Sequence, residues 1–230
     1  MVPSDFQRAR HPEQKEQRRA TILRVARQML DESGLEGLTL SALARRVGLA
    51  KSNVYRYFES REAILLEVFR ADFDDWAEEL STRLRGLRSK RRARRLVELM
   101  ASTYAARERL CKLMSILPSV IEHNVSVDTI REANAQLIER TQRLAEVMHH
   151  VVPELSIEAH VELVRYSYVL VVGLWPITHP LPVVQQLADD PLFAIHRRDF
   201  EADLANGMGL VADGMLRQSE RGASPSKLER

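Results

Sequence analysis

The side chains best suited to chemistry lie close together in GLAKSNVYRYFESRE, which spans residues 48–62. Lys51, Tyr55 and Tyr57 can donate hydrogen bonds to phosphate oxygens, and such contacts fix the register of a protein on a duplex. Ser52 and Asn53 are short polar residues, and asparagine can pair bidentately with adenine N6 and N7. Arg56 could read a guanine or bind a phosphate. The stretch therefore predicts a contact with double-stranded DNA.

Two short helices must position these side chains. Thr39 is expected to cap the first, whose residues Leu40 to Val47 place apolar side chains inward at helical spacing. Gly48 allows a sharp turn, and a second helix is expected over residues 51–58, held by Val54 and Phe58. Eight helical residues are about 12 Å long, which matches a major groove about 12 Å wide. The pattern is a helix-turn-helix.

Charge is distributed unevenly along the chain. Through Ser60 there are eleven Lys and Arg residues against seven Asp and Glu residues, an excess of four positive charges. The whole chain carries +2, so the remainder carries −2. A basic N-terminal part on a faintly acidic body indicates that only the N-terminal part meets a polyanion.

Composition argues against several classes of protein. The chain has one cysteine, Cys111, so an internal disulfide and a thiolate-rich zinc site are excluded. No His-x3-His pair occurs among the seven histidines, and we expect neither a metal nor a cofactor. Cys111 and His123 lack an orienting third group, and no glycine-rich phosphate loop occurs, so we expect no enzyme. No apolar run reaches eighteen residues, which predicts a soluble, cytoplasmic protein without a membrane contact.

Apolar residues recur at spacings of three and four throughout, which predicts an all-α fold. We expect a flexible basic arm over residues 1–12 and a disordered tail over residues 218–230. Gly34 should end the first helix, Ser60 should cap the fourth, and Pro118 should interrupt the helix that follows the fifth. The expected helices cover residues 13–33, 40–47, 51–58, 61–84, 94–109, 126–150, 157–175 and 193–217.

The stretch from Thr21 to Phe69, which includes GLTLSALARRVGLAKSNVYRYFESREAILLEVF, resembles the N-terminal domain of the tetracycline-repressor (TetR) family of transcriptional regulators. The resemblance covers about the first third of the chain without gaps. It implies an all-helical homodimer of about nine helices. A three-helix DNA-binding domain over residues 13–60 would bind half of a palindromic operator, and residues 61–217 would bind a small effector and dimerise.

The resemblance also assigns roles by position. Thr39, Lys51, Tyr55, Tyr57 and Arg61 match phosphate contacts of the family, and Ser52 and Asn53 match its base contacts. Two departures are Ala50, where the family often has a capping Ser or Thr, and Glu59, an acidic residue beside the DNA face. The full set expected at DNA is Thr39, Arg46, Lys51, Ser52, Asn53, Tyr55, Arg56, Tyr57 and Arg61.

Two further sets of residues are expected in the larger helical part. One would line a cavity for a largely apolar effector, although any of its members could equally be ordinary core: Met100, Tyr104, Arg107, Met114, Leu137, Met148, Tyr166 and Trp175. The other follows apolar stripes on the last two long helices and would form the dimer interface, unless it only covers the core: Val161, Val164, Tyr168, Phe200, Leu204, Gly207, Met208, Val211, Gly214 and Met215.

The resulting hypothesis is a DNA-binding transcriptional regulator, most simply a repressor that a small effector releases from its operator. An alternative is a nucleoid or division factor that uses the same fold without an effector, and an enzyme is a more distant one. The basic run from Arg85 to Arg95 is interpreted as a solvated connection, with an extra DNA or membrane contact as the other possibility.

Overall fold

The structure is a computed structural model, and it describes residues 12–87, 91–180, 182–186 and 198–223. Within these ranges the chain forms ten α-helices and no strand, which confirms the all-α prediction. The helices are α1 (Pro12–Gly37), α2 (Leu40–Val47), α3 (Lys51–Val54), α4 (Arg61–Arg85), α5 (Arg92–Ala105), α6 (Glu108–Asn124), α7 (Val127–Val151), α8 (Ile157–Thr178), α9 (Pro182–Gln185) and α10 (Phe200–Ala223).

Local signals in the sequence bend α1 and set both ends of α2. Gly34 has φ 63° and puts a kink into α1, beyond which the helix continues to Gly37. The Thr39 hydroxyl accepts a hydrogen bond from the Ala42 amide at 3.1 Å, so it caps α2 as expected. Gly48 ends α2 in the left-handed conformation, φ 73°, which glycine adopts without steric penalty.

The helix after this turn is shorter than expected. α3 ends at Val54 and not at Phe58, and residues 55–57 form a turn. The amide of Tyr57 bonds the carbonyl of Val54 at 2.9 Å, three residues back, so the turn is tighter than an α-helix. Ala50 supplies no side-chain cap, as its departure from the family pattern predicts. Missing capping energy of about 1 kcal/mol is consistent with a short helix.

The 25-residue helix α4 is the centre of the fold. The Ser60 hydroxyl accepts from the Ala63 amide at 3.0 Å and caps it, as expected. α4 packs against α1, α5, α6 and α7, and its Trp76 is fully buried. The Trp76 ring stacks on Tyr104 of α5 at 4.3 Å, and the Tyr104 hydroxyl lies 3.1 Å from the Ser167 hydroxyl of α8. Together, the ring stack and the buried hydroxyl contact join α4, α5 and α8.

Several helix boundaries differ from the sequence-based expectation. The helix expected over 94–109 is two helices, because Arg107 leaves the helical conformation with φ −129° and ψ 68°. Pro118 lies inside α6, and Pro176 inside α8; a proline removes one backbone hydrogen bond, and packing of both helices on their neighbours tolerates that loss. α10 begins at Phe200 and continues to Ala223, so residues 218–223 of the expected tail are helical. The arm over residues 1–11 and the tail beyond Ala223 lie outside the described residues.

One buried histidine stands at the junction of α7 and α8. His160 is 0% exposed, its Nδ1 donates to the Ser156 carbonyl at 2.8 Å, and its Nε2 has no partner among the described residues. Burial lowers the pKa of His160 below its ordinary 6.5; the Ser156 bond raises it, and nearby His149 lowers it. The folded protein therefore holds this imidazole neutral at pH values where an exposed histidine is already charged.

The free energy of unfolding should fall as the pH drops below about 6.5, because the unfolded chain then binds a proton that folded His160 resists. His160→Leu should flatten this dependence in urea melts at about pH 7.5 and about pH 5.5. His150→Leu, at an exposed position on α7, should leave it unchanged. Equal pH dependence in His160→Leu and the parent protein would contradict the assignment.

Candidate nucleic-acid interface and effector cavity

The side chains on α3 and its turn divide into anchors and exposed groups. Val54 and Phe58 are buried in the core, as predicted from the narrow apolar side of this segment. Lys51, Ser52 and Asn53 are exposed on the first turn, and Arg56 is exposed on the following turn. Tyr55 is 48% exposed, and the Lys51 ammonium lies 5.9 Å from the centre of its ring. This face therefore presents hydrogen-bond donors and cations to solvent, and buried Val54 and Phe58 hold it in place.

Four other residues expected at DNA are held within the chain. The Thr39 hydroxyl is engaged in the α2 cap, and the half-buried Tyr57 packs against the core. Arg61 donates to the carbonyl of Leu35 and so joins the start of α4 to the end of α1. Arg46 binds both carboxylate oxygens of Glu32 at 2.5 and 2.6 Å.

The ion pair between Arg46 and Glu32 changes the charge that this part of the surface offers. Its hydrogen bond lowers the pKa of Glu32 and raises the pKa of Arg46. Both side chains are largely exposed, so the pair adds little stability. It nevertheless offsets the positive charge of Arg46, which makes Arg46 a weaker candidate for a phosphate contact than Lys51.

Glu59 is explained by a contact that the sequence does not reveal. Its Oε1 accepts a hydrogen bond from the backbone amide of Ser126 at 2.8 Å. Ser126 caps the N-terminus of α7, 67 residues further along the chain. This amide lowers the pKa of Glu59, burial opposes the shift, and the hydroxyls of Thr129 and Ser126 lower the pKa further. The acidic residue beside the DNA face therefore binds the larger helical part of the protein.

A second connection between these parts centres on Asp72 of α4, which is 5% exposed. Arg109 of α6 donates to its two oxygens at 2.6 and 3.0 Å, and Arg27 of α1 also donates to it. Arg109 reaches Asp31 of α1 as well, at 2.5 Å. These bonds to Asp72 and Asp31 raise the pKa of Arg109, against the effect of burial. Three helices are thus joined at one buried carboxylate.

The residues expected around an effector are mostly packed in the core. Met100, Tyr104, Met114, Met148 and Trp175 are buried, and Leu137 is partly buried against them. Two members of the set lie elsewhere. Arg107 forms an ion pair with Glu79 of α4, and Tyr166 is exposed on the outer side of α8.

A cavity of about 720 Å³ lies where the C-terminal ends of α4 and α7 meet the N-terminal end of α5. No residue of the expected effector set lines it. Among the described residues, the side chains that line it are apolar or basic: Leu84, Arg85, Leu87, Arg92, Val147, His150 and Val151. Its volume falls within the range of about 300–1,000 Å³ that is usual for small-molecule pockets.

The basic residues of this cavity come partly from the run between Arg85 and Arg95, of which residues 88–90 lie outside the described ranges. Arg94 and Arg95 form ion pairs with Glu98. Arg92 stands in the first turn of α5, where the helix dipole disfavours a cation.

The residues expected at a dimer interface differ in how deeply a single chain buries them. Val164, Phe200, Leu204 and Met208 are buried in the chain's own core and offer no free surface. The other apolar members of the set, Val161, Tyr168, Val211 and Met215, are partly buried. Sequence spacing alone did not separate the inner side of each helix from its outer side.

Other residues form an exposed apolar surface on α8 and α10. On α8 the exposed residues Tyr166, Val169 and Ile177 share one side with Gly173, because they recur at three- and four-residue spacing. On α10, Leu210 is 73% exposed and lies on the side of Gly207 and Gly214. A Cβ at Gly207 would lie 3.3 Å from Leu170 of α8, so the two strips adjoin. We call this the α8–α10 outer surface.

Two protein-family models together match most of the chain. Residues 22–68 match the model of bacterial regulatory proteins of the tetR family, and residues 70–219 match the tetracyclin repressor-like C-terminal domain. The chain belongs to the TetR family. The resemblance seen in residues 21–69 is therefore confirmed and extends through the larger helical part.

Individual relatives of this TetR-family protein share less of the sequence. It is 24% identical over 137 residues to the fatty acid metabolism regulator protein of Bacillus subtilis, across 59% of this chain and 62% of that one. It is 35% identical over 65 residues to the transcriptional repressor KstR2 of Mycolicibacterium smegmatis, across 28% of this chain and 31% of that one. The matches thus span less than two thirds of either relative.

Two solved structures share the fold at low sequence identity. The fatty acid degradation regulator FadR of Bacillus halodurans has a TM-score of 0.54 at 15% identity, covering 90% of this chain and 98% of that one. FadR of Thermus thermophilus, a TetR family transcriptional repressor solved in complex with lauroyl-CoA, has a TM-score of 0.55 at 18% identity, covering 86% and 94%. Both confirm the TetR arrangement of helices.

The single cysteine of this TetR-family protein is a core residue. Cys111 is fully buried, and burial raises the pKa of its thiol to about 12. A thiol with that pKa is protonated at neutral pH and is a poor nucleophile. Among the described residues no group of three or more His, Cys, Asp or Glu side chains could hold a metal ion. The two relatives above are named as a regulator protein and a transcriptional repressor.

Proposed function

We propose that this TetR-family protein is a homodimeric transcriptional regulator that binds a palindromic operator and is released by a small effector. The observation that carries the proposal is the exposed group of Lys51, Ser52, Asn53 and Tyr55, held on a base of buried Val54 and Phe58. Lys51 and Tyr55 are assigned to phosphates, and Ser52 and Asn53 to base edges. Residues 13–60 would act as the DNA-binding domain, and the larger helical part as sensor and dimerisation domain in the cytoplasm.

The cavity at the ends of α4, α5 and α7 supports an effector with an apolar body and an anionic end. Leu84, Leu87 and Val147 provide apolar walls, and Arg85 and Arg92 provide positive charge. The lauroyl-CoA bound by the Thermus thermophilus neighbour has both parts, an acyl chain and phosphates. We therefore propose an acyl thioester of this class as effector. The same cavity favours a sensor over an effector-independent nucleoid factor.

The α8–α10 outer surface supports dimerisation. Among the described residues, α8 is the one helix whose length and composition would allow it to cross a membrane. Only 28% of its apolar window is buried within the chain. An interface helix gives the same signal as a membrane span, because both expose apolar side chains on several sides. Pairing of α8 and α10 with their symmetry mates would cover Val169, Ile177 and Leu210.

DNA binding should depend steeply on salt. If each subunit neutralises about three or four phosphates, log K against log salt should have a slope of roughly −5 to −7. Lys51→Ala should weaken binding to all sequences and make the slope shallower by about 2 per dimer. Asn53→Ala should instead relax preference at one base position, by roughly 1–3 kcal/mol.

The measurement is fluorescence anisotropy on an operator duplex selected from a random library and on single-base variants of it. The binding proposal fails if the selection yields no preferred sequence. The division into positioning and reading residues fails if Lys51→Ala and Asn53→Ala change the base preference in the same way.

Lauroyl-CoA is the probe for the effector site. Arg92→Glu should weaken its binding about tenfold in calorimetry, because a cation that faces the phosphates becomes a like charge. Arg94→Glu is the matched control, since Arg94 is exposed on the same helix, pairs with Glu98 and does not line the cavity. Equal losses in both variants would point to general surface charge and not to this cavity.

Leu210→Asp should produce a folded monomer that binds a full palindrome poorly, because a carboxylate cannot be buried unpaired at an apolar interface. Ile138→Asp is the control, since Ile138 is 68% exposed on a different helix, α7, and is not part of the α8–α10 outer surface. Sedimentation velocity distinguishes the two. A Leu210→Asp variant that sediments as a dimer would place the interface elsewhere.

A further inference from the structure

We infer that Glu59 is a positioning residue, through which the N-terminus of α7 controls the placement of the DNA-contacting segment. The inference rests on the proposed function, because it concerns how DNA binding and the effector domain are coupled. This role explains why an acidic residue stands beside the DNA-contacting segment, where its charge would not favour a phosphate contact.

The contact joins a charged acceptor to the start of a long helix. The Glu59 carboxylate accepts from the Ser126 amide at 2.8 Å. The Ser126 hydroxyl in turn accepts from the Thr129 amide at 3.3 Å and caps α7. A carboxylate is favoured at this position, because the N-terminal end of a helix carries partial positive charge and free amides.

Glu59 has little freedom to move independently of the DNA face. Phe58, its neighbour on one side, is buried in the core, and Ser60, its neighbour on the other side, caps α4. The Phe58 amide bonds the Val54 carbonyl at 3.1 Å, which joins Glu59 to the end of α3 in one turn. A displacement of the Ser126 amide that pulls on Glu59 therefore reorients the segment that carries Asn53 and Tyr55.

The other end of α7 lies at the cavity. Val147, His150 and Val151 line the cavity, whereas Ser126 stands before the first residue of the same helix. The 25 residues of α7 span about 37 Å at 1.5 Å per residue. A shift of α7 along its axis would therefore carry a change at the cavity to Glu59. This connection is separate from the Asp72 ion pairs, which join α1, α4 and α6.

Comparison of Glu59→Ala with Glu59→Gln isolates the contact. Alanine removes the acceptor, whereas the glutamine amide oxygen can still accept from Ser126. Glu62→Ala is the control, because Glu62 is an acidic residue three positions away in the first turn of α4 and makes no contact with Ser126. Since the Glu59 contact is exposed, thermal unfolding should be nearly unchanged in all three variants.

The first readout needs no effector. In the parent protein, binding of the selected operator duplex should slow hydrogen exchange of the amides of residues 126–129, because DNA fixes the segment to which Glu59 belongs. Glu59→Ala should abolish this change, Glu59→Gln should keep most of it, and Glu62→Ala should keep all of it. Operator-linked protection that persists in Glu59→Ala overturns the inference and leaves the DNA-binding function intact.

The second readout is the ratio of operator affinities without and with lauroyl-CoA. Glu59→Ala should reduce that ratio about three- to tenfold, as expected for a residue within a coupling route, while lauroyl-CoA affinity in the absence of DNA stays unchanged. An unchanged ratio also overturns the inference. Failure of the parent protein to bind any selected duplex would instead refute the proposed function, and is seen before any Glu59 variant is compared.

Discussion

The buried carboxylate of Asp72 is the constraint on which the arrangement of helices depends. A buried carboxylate is tolerated only if cations and hydrogen-bond donors surround it. Arg27 from α1 and Arg109 from α6 supply them, and both must reach the same point on α4. The three helices therefore cannot slide past one another without exposing or isolating a charge. Apolar packing around Trp76 is less directional than these ion pairs. The ion pairs therefore define the relative orientation of the three helices, which apolar contacts alone do not.

The sequence predicts those features that neighbouring residues determine. Caps at Thr39 and Ser60 and the turn at Gly48 are local, and all three were predicted. Gly34 was expected to end the first helix, but it only kinks α1. The side-chain types on α3 were sufficient to indicate a DNA contact. Because only Val54 and Phe58 are buried, the other side chains of this segment are left exposed or partly exposed. By contrast, the pairing of Arg46 with Glu32 depends on how α1 and α2 cross, which spacing alone does not reveal.

Features formed by distant parts of the chain were missed for a physical reason. The cavity is lined by the ends of three helices, and its two arginines belong to a run that looks like a solvated connection. On α8 and α10, apolar side chains surround much of each helix, so periodicity yields two stripes and no means of deciding which one faces inward. Leu204 and Met208 belong to the inner stripe of α10, and Leu210 to its outer side.

The four-residue α3, which has no side-chain cap, bears on the thermodynamics of recognition. A helix of one turn forms a single cooperative nucleus and is marginal without tertiary contacts, so Val54 and Phe58 provide most of what keeps it formed. Any backbone freedom that α3 retains would be lost when the helix enters a groove of DNA. Binding then carries an entropic penalty that is the same for every sequence, while the compensating enthalpy depends on how many contacts a sequence provides. Discrimination between operators should therefore appear mainly in the dissociation rate, with a markedly negative enthalpy on the best site.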